Sequence, residues 1–545
     1  MSEEIKQIRI DLSGQEGLAP RYYGDLPFSS SNRALRTIGT SKMYADGLVN
    51  PRTRLGYLTP ASNTPTNVSN TLGAVLGSVK NDTVNENLYF FERGNIIHEL
   101  TSFTDKSLSI RRTLEVGSIG TDLEIYTVNG VRQLFYSYRG NNTGGIGIYD
   151  LSFAYDDLWL STTVSGAFTT GKSNNHKMVV ADNGFMYVLD GSFVHKVDGT
   201  TAGGANGTVT ANVLSFPATT QLIDGLDLGG FLWIALMEST RDLGTNTSNT
   251  ALFNESCGIY VWDRSSTVVS SVDFIPIRDV KEVRNLFVFQ NNPACFTVSS
   301  SRYTELRMYN GRTFDVVQEL GAGAFPKFAD SVYTTGDIVV WLGNDGIIYT
   351  YGKPFSKAGF NALYKIGDMT GHVSSTKSLT TGGVLIGASA NESVSVAGEN
   401  QEAEAYYLSF RDSTPAYFIK KFYPNSTAIE STARYPTADV FYTLAVELPK
   451  LSKVISITLH YPPISATGTD TVMKVDLYFN QSTTSWGQTT LTKTDGTIGY
   501  KRIAVGKANV NYIQIGLSWN TGVRLDFAIT PSHATVEYTI TGKKI

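Results

Sequence analysis

The chain has 545 residues, too many for one ordinary core, so two or three domains are expected. Charged residues make up 17% of it, below the roughly 25% usual in globular proteins, and 51 Gly, 29 Tyr and 27 Phe supply turn and strand formers instead. A net charge of −4 excludes a globally basic nucleic-acid binder, and an apolar share of 41% excludes a disordered low-complexity chain.

The first residues, MSEEIKQIRIDL, place acidic groups where a secretory signal needs basic ones, and no apolar stretch follows. No cleaved signal is expected. Nor does any apolar run approach the ~18 residues of a membrane helix, so no membrane partner is expected. Residues 1–70 read as an extended, irregular arm, with prolines at 20, 27, 51, 60 and 65 and no helical period. Between Gly17 and Pro60 six basic residues (Arg21, Arg33, Arg36, Lys42, Arg52, Arg54) face two acidic ones (Asp25, Asp46), a local excess of +4. In an acidic chain that cluster marks a candidate docking segment for an acidic partner or a nucleic-acid passage, against the plainer reading of a solvated arm.

From 71 to 425 one beat recurs: a short apolar strand, a Gly/Asn/Asp turn, an aromatic-rich strand. It is clearest in Met178–Val197 (MVVADNGFMYVLDGSFVHKV) and Ile338–Gly352 (IVVWLGNDGIIYTYG), with echoes in Leu88–Leu100, Leu134–Leu151, Phe231–Asp263 and Leu286–Gly311. A hairpin of this kind cannot bury its own apolar face, so the units must stack. At about 45–55 residues per unit the pattern predicts a β-propeller of six or seven blades. Thr200–Gly207 and Leu243–Asn249 read as loops between its strands, where partner contacts concentrate.

After Tyr423-Pro424-Asn425 the pattern changes to clean period-two alternation. Met473, Val475, Leu477 and Phe479 share one face; so do Ile513, Ile515, Leu517 and Trp519, and Val523, Leu525, Phe527 and Ile529. Residues 426–545 are therefore expected to form an antiparallel β-sandwich. No segment makes a convincing long amphipathic helix, and the fold class is all-β.

Chemistry-bearing motifs are scarce. Gly166-Ala-Phe-Thr-Thr-Gly171-Lys172-Ser173 fits G-x-x-x-x-G-K-[ST], but that phosphate loop must open a helix, and Asn174-Asn175-His176-Lys177 leads into a strand pattern instead. The six histidines (98, 176, 195, 372, 460, 533) are scattered singly without zinc spacings, and His460, on the Ser456/Thr458 face of its strand, reads as solvent-facing. Asp156-Asp157 lacks the alternating ligands of a calcium loop. Cys257 and Cys295 read as buried free thiols, and no nucleophile signature occurs. No cofactor, metal or catalytic residue is expected, so the chain is expected not to be an enzyme. A carbohydrate-binding or glycosidase-like propeller is the alternative, because two carboxylates from any two blades would suffice. Its nearest Asp-box echo, Gln481–Trp486 (QSTTSW), lacks both Asp and Gly.

Met43–Pro60, MYADGLVNPRTRLGYLTP, resembles the N-terminal signature of tailed-phage β-propeller virion proteins. Val475–Trp519 resembles their C-terminal sheet module, although Ser482-Thr483-Thr484-Ser485 stands where acidic and glycine residues are usual. The family includes the tail-nozzle and packaged-DNA-stabilisation proteins of short-tailed phages. The resemblance implies a structural protein of the virion, folded in the host cytoplasm, forming a homo-oligomeric ring below the portal and adaptor proteins. It also implies attached tail fibres or spikes and non-specific contact with DNA passing through the channel. The basic residues of the arm would then be assembly contacts.

Overall fold

The computed structural model describes residues 4–12, the strands at 34–38, 41–43, 49–51 and 67–72, and most of 74–541; longer stretches outside the described residues include 13–33, 52–66, 239–256, 369–379 and 423–438. The described residues are almost all strand, and the fold is a β-propeller followed by a separate antiparallel sheet. Six four-stranded blades follow one another in chain order, beginning with Leu76–Asp82, Ile119–Val128, His176–Val180, Thr220–Leu228, Val280–Phe289 and Val332–Thr335. The first strand of each blade lies beside the first strand of the next, which makes these the inner strands.

Each blade is apolar on both faces, and the cores lie between blades rather than within them. Between the second and third, Phe135, Ile148 and Trp159 meet Met178, Met186 and Val188. Between the third and fourth, Tyr187 and Leu189 meet Ile234 and Trp262. Aromatic pairs make edge contacts in both, Phe135 on Trp159 with centroids 5.0 Å apart and Tyr187 on Trp262 at 5.5 Å. This explains why the aromatic-rich strand recurs: every blade must fill the wedge shared with its neighbour.

A seventh sheet is assembled from both sides of the six. Thr380–Thr381 and Gly387–Ala388 pair with Ala405–Arg411, which pairs with Tyr417–Phe422, and the last strand is Asn67–Leu72 from before the first blade. It meets the first blade, where Leu76 N donates to Ser409 Oγ at 2.9 Å. This is where a closing blade belongs.

The C-terminal sheet has eight strands, with Lys6–Asp11, His533–Ile540, Val446–His460, Tyr500–Trp519, Asp439–Thr443 and Ala34–Ile38 in that order, and Thr471–Phe479 and Gly487–Thr492 branching from Tyr500–Trp519. The 15-residue and 20-residue strands Val446–His460 and Tyr500–Trp519 carry several register shifts between them. Such bulges bend a strand, so the two layers of the sandwich share strands and close over one core of Leu12, Ile457, Leu459, Val475, Leu477, Ile513, Ile515 and Val536. Met473, Val475, Leu477 and Phe479, and Ile513, Ile515 and Leu517, are all buried in it, as their alternation predicts. Of the third alternating stretch only Ile529 is described, and it is buried.

The span 1–70 departs from a free arm. Lys6–Asp11 pairs along its length with His533–Ile540, and Ile10 and Leu12 enter the C-terminal core. Ala34–Ile38 pairs with Asp439–Thr443, and Asn67–Leu72 with the seventh sheet. The cause is the alternation Ile8, Ile10, Leu12 in a stretch whose intervening residues are polar. The domain boundaries at 70/71 and 425/426 are accordingly crossed by N-terminal strands. Among the described residues the one α-helix, Lys493–Ile498, is capped by a reciprocal Thr492/Asp495 box and ended by Gly499 at φ +85°, and a single π-helical turn lies at Trp159–Thr163.

Candidate functional site

Of the basic cluster, Arg21, Arg33, Arg52 and Arg54 lie outside the described residues. Arg36 falls in Ala34–Ile38 and Lys42 in Ser41–Met43, where only the backbone is described. The hairpin Ser41–Met43/Val49–Pro51 runs beside the outer strand Ala362–Asp368 of the sixth blade. Lys42 is thereby carried on the segment that bridges propeller and C-terminal sheet.

The phosphate-loop match ends differently from a nucleotide site. Gly166, at φ +78°, sits against Val209 of the third blade's outer strand, with Val209 N bonded to Ser165 O at 2.8 Å. Residues 168–173, including Lys172, lie outside the described residues, and the chain then enters the strand His176–Val180 rather than a helix.

The inner strands carry a belt of buried polar side chains. Ser78, Asp122, Asp224 and Asn285 each follow a register shift in the first strand of their blade, and all are buried. Ser78 Oγ accepts from Leu123 N of the next blade at 3.0 Å, Asp122 Oδ2 from Met178 N at 2.7 Å, and Asp224 Oδ2 from Leu286 N at 2.8 Å. Lys177 Nζ lies 3.0 Å from Asp122 Oδ1 and offsets its charge. A bulge turns one side chain towards the neighbouring blade, where it satisfies an amide that no strand ladder reaches.

A second device recurs where the second strand of a blade turns into the third. Glu92, ending its strand, meets His98 Nε2 at 2.6 Å. Asp190, in the matching place of the third blade, lies 3.4 Å from His176 Nε2 and 3.5 Å from His195 Nε2, and accepts from Asn174 Nδ2 at 2.7 Å. Burial alone would raise the Asp190 carboxyl, but its hydrogen bonds with His176 and His195 hold it well below the usual carboxylate range. His98, His176 and His195 are therefore not solitary, as their scatter in sequence suggests; the fold gives each a carboxylate. His460 is half-buried rather than fully solvent-facing and stacks on His533, ring centroids 4.3 Å apart. His372 lies outside the described residues.

Asp157 grips Arg112 through Nε and Nη2 and accepts from Tyr136 Oη, with the Arg112 guanidinium over the Tyr155 ring at 3.6 Å, so this acid serves the seam of the first and second blades. Arg93, packed over Gly77, is lowered to about 10 by burial and by neighbouring Arg139. Cys257 and Cys295 are buried in one core, and burial pushes the Cys295 thiol up to about 12, far from the reactive range. Among the described residues no group of three or more His, Cys, Asp or Glu is placed to hold a metal, and no helix is long and apolar enough to cross a membrane.

One cleft, of about 690 Å³, opens between the turns of the second and third blades, lined by Tyr126, Asn129, Gly130, Arg132, Val180 and Thr200 among others. Tyr126 Oη donates to Gly184 O at 2.8 Å and accepts from Gly199 N at 2.7 Å, pinning its wall. Arg132 is committed to buried Asp82 at 2.6 Å. The cleft holds no paired carboxylates.

No family model matches the sequence, and no curated protein matches it. Solved structures match in fold alone. Raptor from Chaetomium thermophilum shares 9% identity at a TM-score of 0.39, over 66% of this chain and 29% of that one. A chain of the Mitotic Checkpoint Complex shares 13% at 0.38, over 69% and 95%. An exo-β-1,3-galactanase from Phanerochaete chrysosporium shares 9% at 0.26, over 68% and 99%. The chain spans less than a third of the Raptor chain it matches.

Proposed function

We propose that this chain is a non-catalytic structural protein of a tailed-phage virion, in the tail or neck. Several copies would close a ring that continues the DNA channel below the portal and adaptor proteins and docks fibres or spikes. The observation that carries this reading is the double stitching of the N-terminal segment. One stretch of chain supplies an edge strand to the C-terminal sheet at Lys6–Asp11 and the last strand of the closing blade at Asn67–Leu72. Pulling the two units apart would require unzipping strands in both, which suits a wall that bears load. The titratable pairs Glu92–His98 and Asp190–His195 are consumed in tying strands within a blade, and the acids Asp122 and Asp224 in joining one blade to the next, which favours a scaffold over a catalyst. The sequence resemblance in Met43–Pro60 and Val475–Trp519 supplies the virion context. Mixing the purified protein with the portal and adaptor proteins of a short-tailed phage, followed by negative-stain microscopy, tests the reading. Rings seated on the adaptor support it, and failure to associate counts against it.

A further inference from the structure

The outward face of the C-terminal sheet carries an ordered polar surface that the scaffold role does not use. Four adjacent strands place their residues in register, so that directly opposite residues share a face. One row runs Asp11, His533, His460, Tyr500; the next Arg9, Thr535, Thr458, Arg502; the third Gln7, Glu537, Ser456, Ala504. The rows between them, such as Ile8, Val536, Ile457, Ile503, point into the core. The polar face therefore stands on a rigid framework of strands ~4.8 Å apart.

Its chemistry is specific. Glu537 accepts from Ser456 Oγ at 2.6 Å, Arg502 Nη2 at 2.8 Å and Gln7 Nε2 at 3.2 Å, which fixes a planar array of donors and acceptors. His533 Nδ1 lies 3.0 Å from Ser532 Oγ, and His460 Nε2 lies 3.4 Å from Thr535 Oγ1. At one end the face meets an apolar rim: Tyr500 is 53% exposed, Ile498 55%, and Pro462 and Pro463 are exposed beside them. Arg502 is paired with Glu537 at 2.8 Å, so its charge is already met within the face and offers a polyanion little. A metal ion is disfavoured by geometry, because the His460 and His533 planes lie within 8° of parallel and no single ion can sit in both.

We propose that this face binds a neutral polysaccharide. Pyranose hydroxyls would pair with the planar side chains of the three rows, and the apolar face of a sugar ring would stack on Tyr500. The inference is independent of the virion reading, since it can hold for a chain that forms no ring and fail for one that does.

Calorimetric titration of the full chain with maltohexaose, cellohexaose, laminarihexaose, chitohexaose and dextran tests it, with heparin as the anionic probe. Saturable binding of at least one neutral glycan is expected, weakened about tenfold or more (~1.4 kcal/mol) by Tyr500→Ala and by Arg502→Ala. The exposed Tyr155→Ala on the second blade should leave it unchanged, and the far-ultraviolet dichroism of all three variants should match the parent. No saturation by any neutral glycan at millimolar concentration overturns the proposal. So does binding of heparin alone with steep salt dependence, or glycan binding indifferent to both Tyr500 and Arg502.

Discussion

Asp190 shows how a single side chain can tie a blade together. It is buried between two imidazoles and Asn174, and its carboxyl titrates below its ordinary value. Removing one partner from such a buried arrangement typically costs about 3–5 kcal/mol, so Asp190→Asn should lower stability in urea by about that amount at pH 7. A depressed carboxyl contributes fully above its unfolded value near 3.8 and loses that contribution as pH falls below it. The gap between parent and variant should therefore narrow at pH 3; an equal gap at both values would refute the account. Asp122 supports the next blade in another way. Asp122→Ala would leave Met178 N without its acceptor in a buried seam, at a cost of ~1–3 kcal/mol, while Asp122→Asn should recover part of it. Paired melting curves measure both. These roles were only half legible in the sequence. ERGNIIH and DGSFVH hold an acid and a histidine six and five residues apart across a glycine turn, a repeat that scanning for zinc spacings passes over. The belt residues gave no such signal, because a bulge moves them out of the strand's alternation.

At the scale of the element, blades and core strands were readable while their edges were not. Phe185–Asp190 and Ile338–Leu342 announce themselves by aromatic and β-branched runs beside Asn/Asp/Gly turns. Met473–Phe479 does so by strict alternation. Lys6–Asp11 shows the same alternation over only two apolar positions, Ile8 and Ile10, with Leu12 just beyond its end, amid charges and ahead of a proline-bearing stretch, and its partner lies more than 500 residues away. Local pattern cannot disclose a pairing of that range. Burying Ile10 and Leu12 is worth about 3–6 kcal/mol together, comparable to much of a domain's net stability. Deleting residues 1–12 should therefore raise amide exchange across His533–Ile540 and Val446–His460 and leave the six blades protected. Unchanged exchange in those two strands would show that the N-terminal strand is dispensable.

For the whole molecule, the chain begins in the last domain, supplies the closing blade, runs through six blades and returns. Cleavage within 423–438 should therefore not release the C-terminal sheet: a nicked protein should stay one species on gel filtration and separate only in denaturant. Dissociation into a propeller and a fragment of about 110 residues under native conditions would show that the N-terminal strands hold little. The central claim is that this stitched wall is one segment of a ring. Mass photometry and electron microscopy of the purified full chain test it most directly. The account predicts a cyclic oligomer of one defined size, disrupted by charge reversal at Arg33, Arg36, Arg52 and Arg54 and more fragile at high salt. A protein that stays monomeric alone and in the presence of its adaptor, at every salt concentration, would contradict it.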